Sequence, residues 1–162
     1  MRVAILTISD AGAKGERADT SGDAIAAWAA ARGYAIASRR VVPDETGPIV
    51  TALAGWADAD EADLVLTTGG TGLAPRDVTP EATRAAVQRD APGIAERIRV
   101  LSLQAFPRAA LSRGVAGVRQ RTLIINLPGS TGGVRDGLAA LDAIVDHAVA
   151  VLRADRFEHA PA

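Results

Sequence analysis

Short apolar runs alternate along the chain with longer stretches whose apolar residues recur at helical spacing. An unbroken apolar run is typical of a strand buried on both faces, whereas a recurrence every three or four residues indicates a helix with one buried face. Strand–helix–strand alternation predicts a mainly parallel sheet. In the first half of the chain we predict strands at residues 3–8, 34–42 and 63–67, with helices at 23–31 and 47–59 between them.

The second half of the chain adds further helices and a hairpin. Pro80 suits the first position of a helix, with Thr79 as its N-cap, because the N–H that proline lacks would be unpaired there anyway. We predict helices at residues 80–89, 92–104 and 134–152, and two strands at 115–119 and 122–127 joined by a short turn.

These elements predict a three-layer α/β fold. Its sheet is mainly parallel, with helices on both faces and one antiparallel strand from the late hairpin. The length of 162 residues suits one domain. We predict a single domain over residues 1–155 and a frayed tail at 156–162.

Composition narrows the classes of function. Lys and Arg total 18 against 19 Asp and Glu, and at this net charge of −1 we expect neither a nucleic-acid nor a membrane partner. Cysteine is absent from the sequence, which excludes disulfides, thiolate nucleophiles and cysteine-bound zinc. No apolar run reaches the ~18 residues of a transmembrane helix, and the N-terminal apolar run is too short for a signal peptide. We therefore expect a cytoplasmic protein.

The loops that follow the parallel strands are the expected place for chemistry, since ligands of open α/β sheets bind beyond the carboxyl ends of the strands. One such loop reads Thr68-Gly69-Gly70-Thr71-Gly72. Its glycines let the backbone turn tightly and approach a ligand, so that successive N–H groups and two threonine hydroxyls can surround an anion. The alternative is a tight turn in which the glycines serve geometry alone.

A second glycine-rich loop, Pro128-Gly129-Ser130-Thr131-Gly132-Gly133, leads into the last predicted helix. The free N–H groups of a helix N-terminus attract phosphate, although Ser130 or Thr131 could instead serve only as an N-cap. Two such loops at one edge of a sheet suit a ligand with more than one phosphate, or two phosphorylated ligands. Neither loop matches the P-loop or the dinucleotide-binding fingerprint.

Three carboxylates, Asp10, Asp44 and Asp77, are expected to stand beside these loops. Mg²⁺ is commonly held by one or two carboxylates together with substrate phosphates, so these side chains suit a phosphorylated ligand that arrives with Mg²⁺. Arg76 could clamp a phosphate or pair with a carboxylate. The competing interpretation is a salt bridge that closes the loop, with Asp77 as a favourable charge near a helix N-terminus.

A serine hydrolase is a weaker alternative. Ser112 lies in an A-L-S-R-G segment that resembles a nucleophile elbow, and Asp142 or Asp146 and then His147 or His159 follow it in hydrolase order. An elbow needs a strand before the serine and a helix after it, whereas a strand is predicted after this serine. We therefore disfavour a hydrolase, and the histidines form no zinc-binding pattern.

Several motifs in a fixed order carry a family resemblance over nearly the whole chain. The carriers include L-T-T-G-G-T-G at residues 66–72 and P-R-D-V-T-P-E at residues 75–81, and the stretch from Thr67 to Glu81 is highly specific. The others are Thr7-Ile-Ser-Asp10, Asp19-Thr-Ser-Gly22, Val42-Pro-Asp-Glu45, Pro92-Gly93, Leu111-Ser-Arg113 and Asn126-Leu-Pro-Gly-Ser130. With these motifs the chain resembles the Mog/MoaB type of molybdenum-cofactor biosynthesis proteins.

The resemblance implies a molybdopterin adenylyltransferase, which uses Mg-ATP to place AMP on the terminal phosphate of molybdopterin and releases pyrophosphate. Asp44 and Asp77 match the family's functional carboxylates, which implies a catalytic role and, through Mg-ATP, contact with the metal. The expected substrate-binding residues are Ser9, Asp10, Thr68, Gly69, Gly70, Thr71, Gly72, Arg76, Pro128, Gly129 and Ser130.

Partners follow from the same resemblance. Molybdopterin and ATP are the expected substrates, and Mg²⁺ is the expected cofactor. Family members assemble as trimers, sometimes as hexamers, so we expect a homo-oligomer. The downstream protein that inserts molybdate is a further candidate partner.

Two questions stay open at this level. A molybdopterin-binding protein of the same family without adenylylation activity is the alternative function, although the presence of both Asp44 and Asp77 favours the enzyme. The family often has proline after the Pro-Gly-Ser segment, where this chain has Thr131-Gly132-Gly133. That departure leaves the ligand contacts of this loop open, as well as which loop holds the pterin and which holds ATP.

Overall fold

A computed structural model describes residues 1–154, which form a three-layer α/β fold around a six-stranded sheet. The predicted tail at 156–162 lies outside the described residues. No helix in the described part is long and apolar enough to cross a membrane. The strands are β1 (Arg2–Ile8), β2 (Ala35–Val42), β3 (Leu64–Thr68), β4 (Arg89–Asp90), β5 (Ala116–Arg119) and β6 (Thr122–Leu127). The helices are α1 (Asp10–Ala13), α2 (Thr20–Ala31), α3 (Thr46–Asp58), α4 (Thr79–Ala86), α5 (Pro92–Leu103), α6 (Thr131–Leu141) and α7 (Val145–Arg153), with a 3-10 helix at Pro107–Leu111.

The strands lie in the order β2-β1-β3-β6-β5-β4. The first four run parallel to one another, and β5 is antiparallel to β6, with which it forms the predicted hairpin. The two residues of β4 pair antiparallel with the outer edge of β5. The predicted α/β class, with its mainly parallel sheet and an antiparallel strand from the hairpin, is therefore confirmed.

The three central strands end level with one another. Thr68 of β3 is paired with Thr7 of β1 on one side and with Leu127 of β6 on the other. The loops after these three strands therefore leave the sheet at the same edge, which is where an open α/β sheet binds its ligands.

Both faces of the sheet are covered, which explains the continuous apolar runs. Val3 and Ile5 of β1 join one core, together with residues of α2, α5, α6 and α7, whereas Ala4 and Leu6 join the other core, together with residues of α3 and α4. Full burial of such a leucine or isoleucine contributes about 1.5–3 kcal/mol. The strands from which the loops leave are thus held in place by two hydrophobic cores, one on each face of the sheet.

Helix α4 differs from its prediction at both ends. The prediction of Thr79 as N-cap is wrong, because Thr79 is the first helical residue and Val78 occupies the cap without a side-chain hydrogen bond. The Thr79 hydroxyl instead donates to the carbonyl oxygen of Gly69 at 2.8 Å. The helix ends at Ala86 rather than at residue 89, because residues 89–90 pair with β5.

The last predicted helix is two helices, α6 and α7, interrupted at residues 142–144. Leu141 and Val145 flank the break, and both are buried. The helical spacing of apolar residues therefore continues across the break and did not predict it. The Asp142 carboxylate accepts hydrogen bonds from Trp28 Nε1 at 2.8 Å and from Arg32 Nη1 at 2.9 Å. The break is therefore tied to α2.

Candidate functional site

The loop after β3 requires glycine at two positions. Gly69 and Gly70 have φ angles of +100° and +64°, and a Cβ atom at Gly69 would lie 2.2 Å from the carbonyl oxygen of Ile8. Within residues 1–154, the N–H groups of Gly70, Thr71 and Gly72 donate to no protein atom. Three successive unpaired N–H groups are the concave donor set that binds anions.

The threonine at the start of this loop serves the structure. Thr68 is fully buried, and its hydroxyl donates to the carbonyl oxygen of Pro128 at 2.7 Å. This hydrogen bond joins the loop after β3 to the loop after β6. In the described residues, the Thr68 hydroxyl is therefore occupied, whereas the N–H groups of Gly70, Thr71 and Gly72 are left free.

The loop after β6 lies directly against the first loop. A Cβ atom at Gly129 would lie 3.2 Å from the Cα of Gly69. Ser130 is the N-cap of α6, where its Oγ accepts a hydrogen bond from the Gly133 N–H at 3.1 Å. Helix α2 begins alongside, with the hydroxyls of Thr20 and Thr131 3.1 Å apart. The positive ends of two helices thus point toward the same loops.

Two cavities flank these loops and meet at Gly70, Gly129 and Ser130. The larger has a volume of about 580 Å³ and is also lined by Asp77. The smaller has a volume of about 330 Å³ and is also lined by Asp44. Both volumes lie in the ~300–1,000 Å³ range of small-molecule sites. The edge of the sheet therefore has room for two ligands that meet over the glycine loops.

Most of the predicted substrate-binding residues line one of these cavities. The smaller cavity is lined by Ser9, Thr68 and Gly69, the larger by Thr71, Gly72 and Pro128, and both by Gly70, Gly129 and Ser130. Asp10 and Arg76 line neither of the two. Ser9 is also the N-cap of α1, a short helix that directly follows β1.

Asp10 and Arg76 are paired with each other beside the smaller cavity. Arg76 donates from Nε and Nη2 to the two Asp10 carboxylate oxygens at 2.9 and 2.7 Å. The Asp10 N–H donates to the Asp44 carboxylate at 2.8 Å, and the Asp44 N–H donates back to the Asp10 carboxylate at 3.1 Å. Arg76 thus pairs with a carboxylate outside its own loop, and these contacts link three loops of the site.

Asp44 is half-buried and faces the first glycine loop. Its Oδ1 would lie 3.3 Å from a Cβ atom at Gly70. Burial raises the pKa of Asp44 above its usual value, and the hydrogen bond from the Asp10 N–H opposes that rise only in part. The negative charges of Asp10 and Asp77 also act to raise this pKa. A cation at this edge would therefore relieve the repulsion between these carboxylates.

Asp77 closes a tight turn beside the same loop. Its Oδ2 accepts a hydrogen bond from the Ala74 N–H at 2.8 Å, and its own N–H donates to the Ala74 carbonyl at 2.9 Å. A Cβ atom at Gly72 would lie 2.8 Å from that Oδ2. The Asp77 carboxylate is thus held against the loop whose N–H groups are unpaired.

The donor set of this edge fits Mg²⁺ that arrives with a phosphorylated ligand. In the described chain, Asp44 Oδ1 and Asp77 Oδ1 accept no hydrogen bond, so each carboxylate keeps one free oxygen. No three His, Cys, Asp or Glu side chains of residues 1–154 form a metal site by themselves. Mg²⁺ is typically held by one or two carboxylates together with phosphate oxygens, which matches this pair.

The serine-hydrolase arrangement is not assembled in the described residues. Ser112 follows the 3-10 helix and precedes β5, which is the reverse of a nucleophile elbow. Asp142 and Asp146 both accept hydrogen bonds from Arg32. His159, the later histidine candidate, lies outside the described residues.

One wall of the larger cavity was missed at the sequence level. It includes Arg99, Phe106 and Arg108. The Arg108 guanidinium lies 5.5 Å from the centre of the Phe106 ring, which is 49% exposed. Arg99 is half-buried and donates to the Gly114 carbonyl at 2.8 Å. Nothing in the spacing of these residues marks them as neighbours of the glycine loops, because α5 and the 3-10 helix bring them there through tertiary packing.

Asp44 should gain its proton at a higher pH than Asp10. Burial raises the pKa of Asp44, whereas the hydrogen bonds from the Arg76 guanidinium lower the pKa of Asp10. Titration of the carboxyl carbons by NMR should place Asp44 above the ordinary value of 3.8 and Asp10 below it. As the pH falls, Asp44 is then the first of the two to lose its charge.

The Arg76→Gln variant is the control for this titration. It removes the cation that favours the charged form of both carboxyls, so the pKa values of Asp10 and Asp44 should both rise. An Asp44 that titrates below Asp10 in the unmodified protein would contradict the electrostatics described here.

Known proteins resemble this chain over most of its length. Residues 4–147 match the model of a family described as "Probable molybdopterin binding domain". The chain is 39% identical over 153 residues to the molybdopterin adenylyltransferase of Helicobacter pylori (strain J99), which covers 92% of this chain and 86% of that protein. It is 41% identical over 155 residues to the molybdenum cofactor synthesis protein cinnamon of Drosophila melanogaster, and it spans 25% of that longer protein.

Solved structures agree with the sequence comparisons. The molybdopterin biosynthesis enzyme MoaB of Thermus thermophilus matches with a TM-score of 0.89 and 50% identity, covering 97% of this chain and 99% of that one. A structure of MogA matches with a TM-score of 0.89 and 43% identity, covering 94% of this chain and 99% of that one. With the family model spanning both glycine loops and both carboxylates, the chain belongs to the Mog/MoaB family of molybdopterin-binding domains.

Proposed function

We propose that this chain is a molybdopterin adenylyltransferase, which transfers AMP from Mg-ATP to the terminal phosphate of molybdopterin and releases pyrophosphate. The observation that carries the proposal is the pair of cavities that meet at Gly70, Gly129 and Ser130, with Asp77 in one and Asp44 in the other. Two phosphorylated reactants need two binding sites that meet where their phosphates react. Holding the reactants together in the right orientation lowers the activation barrier of the reaction. The names of the bacterial relatives support the same chemistry.

The proposed reaction is a substitution at the α-phosphorus of ATP. A phosphate oxygen of molybdopterin forms a bond to that phosphorus, the bond to the β-phosphate oxygen breaks, and pyrophosphate leaves with the electron pair. The attacking phosphate is already ionised near neutral pH, because the second pKa of a phosphate monoester is ~6. No side chain is therefore needed as a strong base.

The protein's contribution is to position the reactants and to stabilise charge. Donors fixed in place before the reaction stabilise the charge that builds up on the phosphoryl oxygens. We assign this role to the unpaired N–H groups of Gly70, Thr71 and Gly72 and to the N-terminus of α6 next to Ser130.

Asp44 and Asp77 would hold the Mg²⁺ that accompanies ATP. When bound, this ion would neutralise phosphate charge and so allow two anionic reactants to meet. The Asp10–Arg76 pair would orient Asp44, since the Asp10 N–H donates to the Asp44 carboxylate. Direct contacts of Asp10 and Arg76 with a substrate stay predictions.

We also propose a homo-oligomer, a trimer or a hexamer, that acts in the cytoplasm as a single domain over residues 1–155. The downstream molybdate-inserting protein is the proposed recipient of the product. The oligomer and the recipient rest on the family resemblance, whereas the single domain rests on the chain length and the cytoplasmic location on the composition and the short apolar runs. Size-exclusion chromatography with light scattering tests the assembly.

Incubation of the purified protein with molybdopterin, Mg²⁺ and ATP tests the proposed function. With label on the α-phosphate of ATP, the label should move to the pterin. With label on the γ-phosphate, it should appear in pyrophosphate in the same amount. This pairing separates adenylyl transfer from ATP hydrolysis or phosphoryl transfer.

Pterin binding without labelled pterin would refute the enzyme and select the alternative, a molybdopterin-binding protein without adenylylation activity. Release of free labelled phosphate instead of pyrophosphate would also contradict the proposal.

A further inference from the structure

Arg113 lies behind the segment that carries Asp77, and none of the roles described above includes it. It follows the 3-10 helix and precedes β5. Its side chain is 34% exposed and forms an ion pair with Glu81 in the first turn of α4. Arg113 lines neither of the two cavities that meet at the glycine loops. Its effect on the site therefore has to pass through other residues.

Three further contacts join Arg113 to both ends of the segment 71–77. Its backbone N–H donates to the Thr71 carbonyl at 2.8 Å, and its Nε donates to the Gly72 carbonyl at 2.7 Å. Its Nη2 donates to the carbonyl oxygen of Asp77. A single residue thus bonds the beginning of the segment and the peptide of the carboxylate at its end.

In the described residues, one other link ties the middle of this segment to the rest of the protein: the Arg76–Asp10 ion pair, which is exposed and therefore weak. Leu73 is 67% exposed, and the Arg76 side chain is 57% exposed. The turn between Ala74 and Asp77 is internal to the segment, so it shapes the segment without fixing it to the rest of the protein. Exposed segments with few buried apolar contacts open at low free-energy cost. The position of the Asp77 carboxylate therefore depends strongly on the contacts of Arg113.

We infer that Arg113 is a positioning residue for the proposed reaction, and that it acts by holding Asp77 beside the first glycine loop. The inference rests on the proposed function. A guanidinium presents five donors in a rigid plane and can serve Gly72, Asp77 and Glu81 together. A lysine ammonium places its three donors on one nitrogen and cannot span acceptors so far apart, so Arg113→Lys retains only part of the function.

The test compares Arg113→Gln with a matched control, Arg119→Gln. Arg119 also binds one carboxylate and one backbone carbonyl, those of Asp58 and Ala86. It pairs with Thr122 at the start of β6, which places it at the opposite edge of the sheet from the glycine loops. If kcat fell only because removing an arginine with such contacts destabilises the fold, both glutamine variants would lose activity.

In the adenylylation assay, Arg113→Gln is expected to lower kcat by about 100-fold, the size of effect that a ~1 Å misplacement produces. The KM for ATP changes much less, because the N–H groups of the glycine loops remain. The Mg²⁺ concentration for half-maximal activity rises, and Arg113→Lys restores part of kcat. Arg119→Gln keeps kcat within about twofold, as a surface change distant from the site should.

Amide hydrogen exchange provides a readout that does not depend on activity. Exchange over residues 72–77 becomes faster in Arg113→Gln and stays unchanged in Arg119→Gln. Equal exchange over this segment in the unmodified protein and in Arg113→Gln, or an equal loss of kcat in the two glutamine variants, overturns the inference. If the unmodified protein does not adenylylate molybdopterin, the proposed function fails, and the exchange comparison alone decides whether Arg113 holds the segment.

Discussion

Asp77→Asn is expected to lower adenylyl transfer by about 10²–10³-fold while the protein stays folded. Asparagine keeps an oxygen that can accept the Ala74 N–H, so the turn is preserved. It loses the negative charge that would hold Mg²⁺ at the larger cavity. Loss of one fixed electrostatic group in an active site typically costs about 10²–10³ in kcat. Initial rates with α-labelled ATP and molybdopterin measure the effect.

The control for this variant is Asp90→Asn, which removes an exposed carboxylate of β4. Both variants should keep their free energy of unfolding within about 0.5 kcal/mol of the unmodified protein. If Asp77→Asn turned over both substrates at the normal rate, the proposed role of this carboxylate would be wrong.

Gly70→Ala is expected to weaken both the fold and the binding of ligands. Its φ of +64° is unfavourable for any residue with a Cβ atom, and that atom would lie 2.3 Å from the Thr79 hydroxyl oxygen. The backbone conformation alone costs about 1–2 kcal/mol, and displacing Thr79 from the Gly69 carbonyl costs about 1 kcal/mol more. Urea unfolding measures the loss, and calorimetric titration with Mg-ATP should show at least a tenfold weaker affinity.

Gly55→Ala is the matched substitution for this test. Gly55 lies inside α3, its φ is not positive, and a Cβ atom there would meet nothing within 4 Å. Alanine should therefore raise the stability by about 0.5–1 kcal/mol and leave affinity unchanged. Normal stability and normal affinity in Gly70→Ala would mean that the loop neither needs glycine nor approaches a ligand.

Much of the fold could be predicted from the sequence because its strands are buried on both faces. The runs at residues 3–8 and 122–127 are apolar apart from Thr7, Thr122 and Asn126, and such runs have few alternatives to a central strand. Glycine and hydroxyl residues directly after those strands then indicated the edge where the ligand loops lie. The order of the strands in the sheet placed those loops side by side, as the parallel-sheet interpretation requires.

The features that could not be predicted depend on contacts between distant parts of the chain. The local sequence favours Thr79 as an N-cap, but its hydroxyl donates a hydrogen bond to the Gly69 carbonyl oxygen instead. The helical spacing of apolar residues continues across the break between α6 and α7, so it did not predict the break. The hydrogen bonds that Asp142 at the break accepts from Trp28 and Arg32 come from a distant helix. The four contacts of Arg113 likewise join segments that are far apart in the sequence.

A structure of the protein with Mg²⁺, molybdopterin and an ATP analogue that cannot be cleaved between the α- and β-phosphates would show where both reactants bind. We expect phosphate oxygens of both ligands within hydrogen-bonding distance of the Gly70–Gly72 N–H groups and the N-terminus of α6, with Mg²⁺ between them and the carboxylates of Asp44 and Asp77. Phosphates bound elsewhere, with both cavities empty, would contradict the account.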